Sequence, residues 1–164
     1  MIRLLVLDVD GCLSDGRITY TSTGEEIKAF HVKDGLAMEA WGRLGGKIAI
    51  ITGRTSAVVE RRAKELGVSH LHQGVKHKVT VVEEILKEEN LTWENVAALG
   101  DDLNDRGMLM RAGWSFTPKD GAKQIRTLVH TILTCKGGRG AAREMIECIL
   151  EKEGREKELE ALWL

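Results

Sequence analysis

Leu4-Leu5-Val6-Leu7-Asp8-Val9-Asp10-Gly11 sets four consecutive apolar residues directly before two acids and a glycine. A short apolar run that ends in acid suits a central parallel strand, buried on both faces and closed by polar residues at its carboxyl end. Residues two apart on an extended chain project the same way, so Asp8 and Asp10 can face one pocket. Two carboxylates placed so close repel each other unless a cation lies between them. The opening run is too short for a signal peptide and lacks a cleavage site.

Outward from this strand the pattern alternates. Ile18–Tyr20 and Ile27–Val32 are β-rich and flank Thr21-Ser22-Thr23-Gly24, which predicts a protruding hairpin flap over about 17–32. Ala37, Ala40, Trp41 and Leu44 share one helical stripe that Gly45-Gly46 stops, with the helix expected from Gly35. Lys47–Ile51 is a second buried strand, followed by Thr52-Gly53-Arg54 and a helix closing at Gly67. His70–His72, Val96–Leu99 and Trp114–Phe116 read as further strands, separated by helical segments. Ala142, Met145, Ile146 and Ile149 begin a C-terminal helix and charged tail over about 140–164, expected to be mostly solvated, while Trp41 and Trp114 are expected in the core. Strand and helix alternate throughout, so residues 1–164 are expected to form one α/β domain around a parallel sheet.

Composition narrows the function classes. Hydrophobic residues make up 43% and charged residues 30% of 164, the mixture of a globular domain that can bury a core. The net charge of −1 gives no basic excess for a nucleic-acid partner. No apolar run reaches the length that spans a bilayer. Cys12, Cys135 and Cys148 form neither a disulfide framework nor a zinc-binding spacing, which points to a reducing cytoplasm.

In an open parallel sheet, ligands bind beyond the carboxyl ends of the strands. Polar residues recur there: Asp8 and Asp10, then Thr52-Gly53-Arg54, then Gly100-Asp101-Asp102. Lys76 and Lys78 lie near the start of the intervening helix. Asp101 adds a third hard oxygen ligand to Asp8 and Asp10, a donor set that selects Mg2+ over softer metals. The Thr52 hydroxyl and the Gly53 N–H suit a phosphoryl oxygen, and a lysine here would balance the carboxylates and a phosphate together.

These residues resemble, in order and placement, the four motifs of the haloacid dehalogenase-like phosphatases. Asp8-Val9-Asp10-Gly11 matches the first, Thr52 the second, Lys78 the third and Gly100-Asp101-Asp102-Leu103-Asn104-Asp105 the fourth. Lys28–Gly35, Ile50–Arg54, Gln73-Gly74 with Lys78, and Gly137–Glu144 are further similar to the family of 3-deoxy-D-manno-octulosonate 8-phosphate (KDO 8-phosphate) phosphatases. That resemblance implies a cytoplasmic, magnesium-dependent homotetramer active in lipopolysaccharide synthesis, with sites at subunit interfaces, while the gaps between Asp10 and Thr52 and between Lys78 and Asp101 are too short for a cap domain. It implies Asp8 as nucleophile, Asp10 as acid and base, Asp8, Asp10 and Asp101 at the metal, and Thr52 and Lys78 around the phosphoryl group. Asp102 and Asp105 would support the metal and Lys78, or alternatively cap a helix.

Lys33, Gly53, Arg54 and Arg139 are the candidate substrate-binding residues. The three cations suit a sugar acid that bears a carboxylate as well as a phosphate. A nine-carbon, sialic-type acid 9-phosphate is the alternative substrate, and Lys76 competes with Lys78 for the motif position. Gly137-Gly138-Arg139-Gly140 is expected to be mobile and to reach a neighbouring subunit. A phospho-receiver module also phosphorylates an aspartate at an acidic magnesium site, but its acceptor follows the third strand rather than the first. Cys12 is expected as a buried filler.

Overall fold

The computed structural model describes all of residues 1–164. The chain runs β1 (Leu4–Leu7), β2 (Thr19–Tyr20), β3 (Glu26–Ile27), α1 (Val32–Arg43), β4 (Lys47–Ile51), α2 (Ala57–Glu65), β5 (His70–His72) and α3 (Lys78–Glu88). It continues through β6 (Val96–Leu99), α4 (Arg106–Arg111), β7 (Trp114–Thr117), α5 (Lys123–Arg126), β8 (Thr131–Ile132), α6 (Ala141–Lys152) and α7 (Glu156–Ala161). Six strands form one parallel sheet in the order β5-β4-β1-β6-β7-β8, while β2 and β3 make a separate antiparallel hairpin.

Every residue of β1 and β6 is buried, because helices cover both faces of the sheet. Alternate side chains divide between two cores. Leu5, Leu7, Ile48, Ile50, Ala97 and Leu99 pack with α1, α2 and α6 on one side. Leu4, Val6, Ala49, Ile51, Val96 and Ala98 pack with α3, α4 and α5 on the other. β1 lies between β4 and β6, with Leu7 beside Ile50 and Leu99. The three central strands therefore end together, and whatever follows them shares one edge.

Several expectations change. The second hairpin arm stops at Ile27, and α1 starts at Val32 rather than near Gly35. His31 explains the early start, since its Nδ1 accepts the Lys33 N–H at 3.3 Å as a helix cap. Gly35 serves packing instead: a Cβ there would stand 2.3 Å from the Arg62 guanidinium of α2. Trp114 is only half-buried, stacked on Phe116 at 4.8 Å with the Lys152 ammonium 4.5 Å from its ring. The tail is partly docked, for Leu159 packs against the core and Arg43 lies 4.9 Å from the Trp163 ring while donating to the Leu162 carbonyl.

The segment Gly137–Gly140 is seated, which departs from the expected freedom. A Cβ on Gly137 would lie 1.8 Å from the Gly11 carbonyl oxygen, and the Gly138 N–H donates to the Cys12 carbonyl at 2.8 Å. Asp34, buried on α1, accepts from the Arg143 N–H at 2.9 Å and the Gly140 N–H at 3.4 Å, anchoring the start of α6. These glycines permit close approach to the loop after β1. Gly137→Ala should accordingly destabilise the protein by about 1–3 kcal/mol through overpacking. Gly42→Ala, in open space on α1, should be neutral or stabilising by up to about 1 kcal/mol. Thermal unfolding of the two variants checks the contrast.

Candidate active site

At the shared edge the chain leaves β1 through a tight turn over Val9–Leu13, with Gly11 at φ +91°. A side chain at Gly11 would strike Asp101, since a Cβ there would lie 2.0 Å from its Oδ2. Glycine thus meets two demands at once, a left-handed backbone and the close approach of the acid after β6.

Lys78 opens α3 and is buried, whereas Lys76 is exposed, so Lys78 is the lysine that reaches the strand ends. Its Nζ donates to Asp8 Oδ1 at 2.5 Å and to Asp105 Oδ1 at 2.6 Å. Burial works against the ammonium, but the two carboxylates outweigh it and raise its pKa above the ordinary lysine value. Asp105 is completely buried. Its second oxygen accepts the Asp101 N–H at 2.9 Å and the Asp102 N–H at 3.4 Å. Asp105 thus caps its turn and bonds the lysine at once. Gly100 makes room for it, since a Cβ there would stand 2.5 Å from that of Asp105. Asp102 is exposed and caps the same turn by accepting the Leu103 N–H at 2.7 Å.

Asp8, Asp10, Thr52, Gly53, Arg54 and Asp101 line a pocket of about 280 Å³ whose wall has no hydrophobic residue. Thr52 is buried at the end of β4. Lys33 and Arg139 are exposed and do not line this pocket. Asp8 and Asp10 share it as their spacing implies, but their carboxylates take different partners: Asp8 bonds Lys78, and Asp10 bonds Lys28 Nζ.

Burial first, and then the Asp105 charge, push Asp8 up to about 7, against the pull of Lys78. Burial and the charges of Asp8, Asp105 and Asp102 push Asp101 up to about 8. Burial and neighbouring negative charge act together here, and a divalent cation is the group that would offset both. Asp8 and Asp101 offer it hard oxygens, and the ligand atoms of Asp8, Cys12 and Asp101 lie within 4.8 Å of one another. Cys12 is the buried filler expected; burial and the surrounding acids hold its thiol well above its usual range, so it remains protonated.

The hairpin supplies residues that the sequence reading did not assign to the site. Lys28 follows β3, its side chain is 1% exposed, and it bonds Asp10. Glu26 lies 3.9 Å from Lys28 Nζ, accepts Arg54 Nη2 at 3.1 Å, and bonds the Ser56 hydroxyl. Tyr20 accepts Arg54 Nη2 at 3.2 Å. Lys28 lies within Ile27–Val32, read as a β-rich hairpin arm, and Glu26 stands just before it.

A parallel sheet with an acidic pocket at its carboxyl edge defines a class, and residues 70–145 match the family described as haloacid dehalogenase-like hydrolase. The chain is 40% identical over 154 residues to 3-deoxy-D-manno-octulosonate 8-phosphate phosphatase of Escherichia coli strain K12, covering 94% of this chain and 82% of that one. It belongs to this family of 3-deoxy-D-manno-octulosonate 8-phosphate phosphatases. A crystal structure of the Moraxella catarrhalis phosphatase, in complex with magnesium, phosphate and KDO, matches with a TM-score of 0.95 at 43% identity, over 99% of this chain and 94% of that one. The cobalt-bound Haemophilus influenzae phosphatase matches with a TM-score of 0.90 at 35% identity, over 94% and 91%.

Asp8 and Asp101 begin to titrate near 3.8 in the unfolded chain and near 7 and 8 in the metal-free fold. The native state therefore binds more protons between those limits, and its stability falls as pH rises. Metal-free protein should lose melting temperature from about pH 4 to pH 8, and Mg2+ should raise it more at pH 8 than at pH 6. Differential scanning calorimetry with and without Mg2+ checks both signs.

Proposed function

We propose that this protein is a magnesium-dependent phosphatase that hydrolyses KDO 8-phosphate through a phospho-aspartate on Asp8. The observation that carries this reading is the buried Asp8, held by Lys78 at the end of β1 in a wholly polar pocket where uncompensated carboxylates gather. The Moraxella catarrhalis relative, with magnesium, phosphate and KDO, supports both the cofactor and the product.

Asp8 and Asp101 would hold the metal through carboxylates. Asp10 would use its main-chain carbonyl, because its carboxylate is engaged with Lys28. The bound Mg2+ supplies positive charge that screens nucleophile from phosphate and stabilises the phosphoryl oxygens. Asp8 forms the new P–O bond while the bond from phosphorus to the sugar oxygen breaks. Asp10 gives its proton to that leaving oxygen, then takes one from the water that cleaves the acyl phosphate. Lys28, bonded to the Asp10 carboxylate, would hold it in place for both transfers. Thr52, the Gly53 N–H and Lys78 steady the equatorial oxygens as charge spreads over them.

Arg54 stands in the pocket wall, placed to meet the sugar-acid carboxylate. Lys33 and Arg139 would take part only across a subunit interface, since neither lines its own pocket. Ile18, Tyr20 and Ile27 on the hairpin and Val32 at the head of α1 are 53%, 58%, 51% and 77% exposed. Large apolar side chains exposed on the hairpin and at the head of α1 support self-association, and we assign a homotetramer with the hairpins at its centre. No helix is long and apolar enough to cross a membrane, and three unpaired cysteines support a cytoplasmic location in lipopolysaccharide synthesis.

Turnover of KDO 8-phosphate should exceed that of a nine-carbon acid 9-phosphate by on the order of tenfold or more in kcat/KM. A chelator should abolish both activities and Mg2+ restore them, with the protein sedimenting as four subunits. Preference for the nine-carbon acid would overturn the substrate, and full activity without metal would overturn the chemistry.

A further inference from the structure

Glu26 is engaged on every side yet touches no residue of the phosphoryl site itself. One oxygen bonds the Ser56 hydroxyl, and Ser56 caps α2 by accepting the Val59 N–H at 3.4 Å. The other accepts Arg54 Nη2 at 3.1 Å and faces Lys28 Nζ at 3.9 Å. Tyr20, on the opposite hairpin strand, accepts the same Nη2 at 3.2 Å. These contacts hold the Glu26 carboxyl below its usual range, the Ser56 hydrogen bond contributing most and the Arg54 bond adding to it.

Arg54 is held by one nitrogen only. Its Nε is buried without any hydrogen-bond partner, although the side chain as a whole is 40% exposed. Buried donors are normally paired, so the orphaned N–H marks a guanidinium whose hydrogen bonding the protein leaves incomplete beside the pocket. A free arginine carries considerable rotamer entropy, which each binding event would otherwise have to remove. Pinning one nitrogen from the hairpin removes much of that cost beforehand and leaves the rest of the guanidinium fork to the ligand.

We infer that Glu26 is a positioning residue for substrate selection. From the hairpin it fixes the Arg54 guanidinium so that its remaining donors meet the carboxylate of the sugar acid. This inference rests on the reading of the pocket as a sugar-acid phosphate site. It gives the hairpin a second task beside assembly, because a shift of β2 and β3 releases Arg54.

The test uses Glu26→Gln, Arg54→Ala and the double variant of the full-length protein with Mg2+. Glu26→Gln should raise KM for KDO 8-phosphate about tenfold, the scale of one charge-assisted hydrogen bond, and change kcat less than twofold. In the Arg54→Ala background the same substitution should add less than twofold, because its effect passes through that arginine. Additive effects, or equal loss of kcat and KM with a lowered melting temperature, would make Glu26 a mere anchor of the fold. A second readout needs no substrate: the Arg54 Nε–H resonance should be sharp and exchange-protected in the wild type and lose protection in Glu26→Gln. If that resonance is unchanged, the positioning role is refuted whatever the substrate proves to be. If instead Glu26→Gln exposes it but the wild type hydrolyses only small aryl phosphates, positioning stands and the sugar-acid reading falls.

Discussion

Two carboxylates and one ammonium meet where water is almost excluded: Asp8, Asp105 and Lys78 are each nearly or wholly buried. Charges taken out of water carry a desolvation cost of several kcal/mol per ion, recovered only when each finds its partner at close range. Removing one member of such a cluster typically costs about 3–5 kcal/mol, since it strands the others. Much of the local architecture follows from meeting that demand. β1 must end where it does to deliver Asp8, and α3 must begin at Lys78 for its side chain to turn inward. Asp105 must fold back over a residue without a Cβ, and Gly100 provides one.

The cluster remains incomplete as protein alone. Lys78 neutralises one charge among Asp8, Asp105 and Asp101, and burial together with the remaining negative charge raises the pKa values of Asp8 and Asp101. A fold that tolerates this imbalance has stored an affinity for a cation and, beyond it, a place where a dianionic phosphate can approach carboxylates without prohibitive repulsion. The hairpin extends the same electrostatics outward. Asp10 is balanced by Lys28, Lys28 faces Glu26, and Glu26 holds Arg54. Alternating charge thus runs from Asp10 to the rim of the pocket, carried by a flap that also exposes Ile18, Tyr20 and Ile27.

The parallel sheet and the acids at its carboxyl edge were legible in the sequence because both follow local rules. Short apolar runs ending in polar residues located β1, β4 and β6, and the strand-end rule then brought Asp8, Thr52 and Asp101 together. Burial distinguished Lys78 from Lys76, a difference that depends on how α3 lies against the sheet. Lys28 and Glu26 escaped notice for a related reason: an alternating segment reads as strand, and nothing local reveals that the chain leaves the ladder after Ile27. Gly137–Gly140 misled in the opposite direction. Glycine is the residue of both loose loops and the tightest contacts, and only the position of the turn after β1 decides between them. The short β8 carries too few residues for any periodic signal, and the half-burial of Trp114 reflects its place near that end of the sheet.

The central claim is that Asp8 becomes covalently phosphorylated during turnover. Rapid acid quench of the Mg2+-loaded protein with 8-[32P]phosphate-labelled KDO should trap radiolabel on the protein within the first turnover. That label should be labile to hydroxylamine, as an acyl phosphate is, and map to the peptide containing Asp8. Asp8→Asn should carry no label and show no turnover while keeping a folded, cooperative unfolding transition. Labelling of another residue, or turnover by Asp8→Asn at a rate near that of the wild type, would contradict the account.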